Sequence, residues 1–74
     1  MMKEAATIQF IDAETSDKGC VIVRYDTDTV ALCLSLESNG DIEISMKRQD
    51  AQALFAAMKT AIAGSRNQDR HLFS

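Results

Sequence analysis

The chain predicts a single α+β domain: a four-stranded antiparallel β-meander followed by one C-terminal amphipathic helix packed on one sheet face, in the order ββββα. Three observations carry that prediction. Four segments alternate apolar and polar residues with period two, the signature of half-buried strands. A fifth repeats its apolar residues at i, i+3, i+4 and i+7, the spacing of one helix face. The length, 74 residues, leaves room for one small core, and residues 1–64 hold all five segments.

The first strand reads from residues 7–12, TIQFID, and the polar stretch 13–18 ending at Gly19 is a loop. The second is residues 20–25, CVIVRY, followed by the Asp-rich turn 26–29. The third, residues 30–37, VALCLSLE, is the clearest alternation, and Ser38-Asn39-Gly40 turns it into the fourth, residues 41–46, DIEISM. Asn-Gly invites a two-residue type I′ turn. That turn would set Leu36 opposite Glu43 and mix the faces, because a one-residue slip inverts every side chain. A three-residue loop with Gly40 left-handed in a bulge instead pairs Leu36 with Ile42, Leu34 with Ile44 and Leu32 with Met46. Carried across the sheet, the same rule sets Val23 beside Leu32, Val21 beside Leu34, Ile8 beside Val23 and Phe10 beside Val21. Every row of one face is then apolar across four strands, a consistency expected of a foldable sequence.

From about Arg48 the pattern becomes helical: Ala51, Leu54, Phe55, Met58, Ala61 and Ile62 share a stripe within an alanine-rich segment. Asp50 suits the positive end of the helix dipole, and Gly64 suits the position after the last turn. The prediction is a helix over residues 48–63, about 24 Å long. Its stripe packs on the apolar sheet face. Residues 65–74 carry no periodicity and read as a disordered tail.

The opposite sheet face is where a function could be written. Its predicted rows are Ile11, Cys20, Ser35, Glu43, then Gln9, Ile22, Cys33, Ser45, then Thr7, Arg24, Ala31, Lys47. Ile11, Cys20, Ile22, Ala31 and Cys33 thereby form an apolar patch away from the helix. One helix is also too narrow to cover four strands about 4.8 Å apart, so part of the helix-side face stays open. Small chains have little core of their own. These features predict a homodimer associating through the sheet, with the five patch residues as candidate interface.

Chemistry is sparse. No cofactor, metal or catalytic residue is predicted, so the chain reads as non-enzymatic. His71 is the sole histidine and falls in the predicted tail, where it cannot serve as a rigidly held base. Cys20 and Cys33 form no Cys-x-x-Cys motif, lack further ligands for zinc, and sit diagonally at about 7 Å on adjacent strands, at the limit for a disulfide. Asp26 and Asp28 are turn formers without the remaining ligands of a calcium loop. Glu37, Asp41 and Glu43 gather at the third hairpin, with Glu37 expected opposite Asp41, and read as a solvated tip that resists edge pairing.

Charge excludes more than it assigns. The net charge is −3, and residues 1–64 hold six basic against ten acidic side chains, a net −4. An acidic balance argues against a phosphate-binding face and against an anionic membrane. The one basic cluster, Arg24, Lys47 and Arg48, supports the alternative reading of a weak single-stranded nucleic-acid binder. The ββββα order is similar in topology to small single-stranded nucleic-acid-binding coactivator domains, which implies basic residues and stacked aromatics on the sheet. Here Tyr25, the sole tyrosine, is expected on the opposite face. The N-terminal residues lack an apolar h-region and no segment reaches the length of a membrane span, so the expected setting is cytoplasmic, with thiols reduced.

Overall fold

The structure, a computed structural model, describes residues 2–72, with side chains described for residues 2–66. Strands β1 (Lys3–Ile11), β2 (Lys18–Tyr25), β3 (Thr29–Leu36) and β4 (Gly40–Lys47) form one antiparallel sheet in the order β1-β2-β3-β4, and helix α1 (Arg48–Leu72) follows. This is the ββββα architecture read from the alternation of apolar residues.

The central pairing is as expected: Val21 lies opposite Leu34 and Val23 opposite Leu32. The two outer pairings are displaced by two residues. In β3–β4, Leu34 meets Ile42 and Leu32 meets Ile44, rather than Ile44 and Met46. The cause is the turn. The Asn39 N–H donates to the Leu36 carbonyl at 3.1 Å, so the loop is Glu37-Ser38-Asn39 and Gly40 already belongs to β4, opposite Leu36. Gly40 has φ +78°, the left-handed conformation expected of it.

In β1–β2, Ile8 meets Val21 and Phe10 meets Gly19. Asp12 tightens this loop. Its N–H donates to the Asp17 carbonyl at 2.8 Å, its carbonyl accepts from Ser16 N–H at 2.9 Å, and pairing therefore runs up to Ile11–Lys18. At the other end β1 starts at Lys3, with an irregularity between Glu4 and Ala6 that adds a residue to one strand. Both displacements are even, so neither moves a side chain to the other face. The row Ile8-Val21-Leu34-Ile42 is apolar throughout, as is Ala6-Val23-Leu32-Ile44.

The helix continues through Gly64 to Leu72, where the sequence reading ends it at residue 63. Gly64 has ordinary helical backbone rather than a left-handed cap. A glycine costs a helix about 1 kcal/mol, and neighbours such as Ala61, Ala63 and Arg66 offset that cost. The predicted tail thus overlaps the end of α1. Residues 73 and 74, the side chains of 67–72 and with them His71 lie outside the described residues.

No residue separates β4 from α1. The Arg48 N–H donates to the Asp28 carbonyl at 3.1 Å and ties the start of the helix to the β2–β3 turn. The helix packs against β3 and β4 from this junction. Its cover of the sheet is small: Ala51 is half-buried, and every other described residue of α1 is exposed.

Candidate functional site

Two apolar surfaces stand open on this chain. On the sheet, Ile8, Phe10, Tyr25, Leu34, Ile42 and Ile44 are exposed and share the face of the apolar rows. On the helix, Leu54, Phe55, Met58 and Ile62 are exposed along one stripe. The extremes are Ile42 at 59%, Phe55 at 64% and Ile62 at 60%. Such residues are normally the buried ones. A shallow cavity of about 320 Å³ opens on this face at the β3–β4 hairpin, with Phe10, Leu34, Leu36 and Ile42 among its walls.

The dimensions agree with that openness. The radius of gyration is 14.9 Å, with extents of 50 × 31 × 15 Å, against about 11 Å expected for a folded chain of this length. The accessible surface is 6221 Å², against about 4,500 Å² for a monomer of this mass.

The opposite face is better satisfied. Ala31, Cys20, Ile22 and Cys33 remain neighbours there, in the rows Gln9-Cys20-Ser35-Asp41 and Thr7-Ile22-Cys33-Glu43. Ala31 is buried, at 1% exposure, and the other three are half-buried. Ile11 is exposed but pairs with Lys18 and not with Cys20, so the two-residue displacement of β1 takes it one row out of the expected patch. Both cysteines are free thiols.

Arg24 reaches over β3 on this face to Glu43, with Nη1 to Oε2 at 3.4 Å, above Ala31. It is therefore engaged rather than free to join Lys47 and Arg48. Those two line a polar cavity of about 410 Å³ with Asp28, Gln49 and Gln52, so an acidic residue borders the basic cluster. At the hairpin tip Asp41 faces Ser35, whose hydroxyl donates to Oδ1 at 2.7 Å. The expected Glu37–Asp41 opposition does not form, because Glu37 lies in the turn. The Ser38 hydroxyl donates to the Asp17 carboxylate, tying the two loops at this end.

The turn aspartates act on backbone. Asp26 Oδ1 accepts from the Thr27 N–H at 2.7 Å, and the Asp28 carbonyl holds Arg48. Asp12 Oδ2 accepts from the Thr15 N–H and hydroxyl, each at 2.8 Å, and from the Glu14 N–H at 3.2 Å. The Thr15 N–H, then its hydroxyl, hold the Asp12 carboxyl below its ordinary value of 3.8. Among the described residues no three His, Cys, Asp or Glu side chains gather to hold a metal, and no helix is long and apolar enough to cross a membrane. No protein-family model, curated protein or solved structure matches the chain.

Proposed function

We propose that this chain is a non-enzymatic interaction module that self-associates through the apolar face of its sheet and the apolar stripe of its helix. The observation that carries the reading is the exposure of both surfaces on one protomer. The excess of accessible surface over a monomer of this mass is about 1,700 Å². A stable interface needs about 800 Å² from each partner. The large apolar side chains exposed on sheet and helix give that open surface the character of an association site, and a second copy offers a surface of matching chemistry.

The reading differs from the sequence-based expectation in its choice of face. It moves the interface from Ile11, Cys20, Ile22, Ala31 and Cys33 to the side of Ile8, Leu34, Ile42 and Ile44, because large exposed apolar side chains concentrate there. Sedimentation equilibrium at micromolar concentration tests it. A dimer is the expected species, and a strict monomer over that range would end the reading. Nucleic-acid binding through Arg24, Lys47 and Arg48 has less support, since Glu43 and Asp28 lie beside those cations.

A further inference from the structure

We infer that the dimer is intertwined: the helix of each protomer lies on the sheet of the other. The inference rests on the self-association reading above and adds its geometry. It starts at the junction. Strand-to-helix reversals in compact domains normally use two to six connecting residues. Here Lys47 ends β4 and Arg48 begins α1 with none between, and the Arg48 N–H is bonded to the Asp28 carbonyl. With so short a connection the helix meets its own sheet only near the junction, at β3 and β4, and Leu54, Phe55, Met58 and Ile62 stay exposed.

Each protomer thus holds two halves of one core that meet only where the start of α1 touches β3 and β4, leaving the stripe from Leu54 to Ile62 exposed. The stripe from Leu54 to Ile62 runs about 12 Å along the helix. The sheet face from β1 to β4 spans about 14 Å. A second copy related by a two-fold axis supplies the helix that each sheet lacks and accepts the helix that each sheet cannot reach. The exchange is isologous and closed, so it stops at two chains and does not propagate into a fibre. Stacking of two sheets without exchange would leave Leu54, Phe55, Met58 and Ile62 in water. Pairing of two helices alone would leave Ile42 and Ile44 there.

The decisive experiment lengthens the connection. A flexible Gly-Ser linker of about eight residues between Lys47 and Arg48 spans roughly 16 Å, enough to let the helix reach its own sheet. A tethered helix then competes with the partner's at an effective concentration on the order of millimolar. The linker variant is expected to sediment as a monomer with its helical circular dichroism retained, its self-association weakened on the order of a hundredfold or more. Unchanged dimerisation of a folded linker variant would overturn the exchange while leaving self-association intact. A parent chain that is itself monomeric would remove both. A second measurement covers a variant that does not fold. In a Cys20→Ser, Cys33→Ser background, chains carrying Ile42→Cys are mixed with chains carrying Met58→Cys and treated with a short bismaleimide. Exchange predicts covalent products joining the two kinds of chain. Products joining like chains alone would overturn it.

Discussion

Gly19 and Gly40 sit at strand ends on the same face of the sheet, and alanine at each position exposes a different physical cost. At Gly40 a Cβ would meet nothing within 4 Å, but the backbone is left-handed at φ +78°. Gly40→Ala is expected to destabilise by about 1 kcal/mol, through backbone strain alone. At Gly19 no positive φ is involved. The Phe10 ring lies on the glycine, and a Cβ would come within 2.5 to 2.9 Å of it. Gly19→Ala must push that ring aside, and because Phe10 is itself exposed the ring can swing away at about 0.5–1.5 kcal/mol. Urea denaturation of the two variants measures the difference. The double variant Phe10→Ala, Gly19→Ala should then show little further loss from the second substitution, because the clash is gone.

Asp12 gives a pH dependence with a definite sign. Its folded carboxyl is held below 3.8, first by the Thr15 N–H and then by the Thr15 hydroxyl. A depressed value means that the charged form is favoured by folding. The order it lends to the β1–β2 loop is therefore complete above pH 3.8 and fades as pH falls through the lower folded value. In an NMR titration the Thr15 amide resonance is expected to move with a midpoint below 3.8, and to stay still in Asp12→Ala. A midpoint at or above 3.8 would contradict the hydrogen bonding described.

At the scale of elements, the faces of the strands were legible in the residues and their exact partners were not. Period-two alternation determines which side Leu32, Leu34, Ile42 and Ile44 occupy, and a displacement of two leaves that property unchanged. The register depends on where hydrogen bonds close the turns. Asn39 N–H to the Leu36 carbonyl and Asp12 N–H to the Asp17 carbonyl decide it, and alternation carries no record of either. The end of the helix was hidden for a related reason. Gly64 resembles a terminator in a string of letters, yet the backbone there stays helical, with the alanine-rich turns before it and Arg66 and Gln68 after it favouring the helix. Gly64→Ala should therefore tighten α1, since the added methyl meets nothing within 4 Å. Hydrogen exchange of amides near residues 60–72 is expected to slow by up to about 1 kcal/mol of local opening free energy. Faster exchange would show that Gly64 caps the helix after all.

At the scale of the molecule, the sequence predicts self-association through the sheet, and the proposed interface keeps that expectation but lies on the other face, where the large exposed apolar side chains are. The sequence shows that one helix cannot cover four strands and that part of the helix-side face stays open; it does not show that β4 runs into α1 without a connecting residue. The proposed self-association would also set the thermodynamics. When folding and association are one event, stability depends on concentration: a tenfold rise adds about 1.4 kcal/mol per dimer. Two chains of this length lose roughly 0.3 kcal/mol of stability per degree near the midpoint, so Tm should climb by about 4 °C for each tenfold step. Met58→Asp puts a charge into the exposed apolar stripe and should lower Tm and flatten that climb. Thr60→Asp, off the stripe on the same helix, should leave both close to the parent. Scanning calorimetry across a hundredfold concentration range reads all three chains. If the parent's Tm does not move, its core is complete within one chain, and the open apolar surfaces of sheet and helix have some use other than self-association.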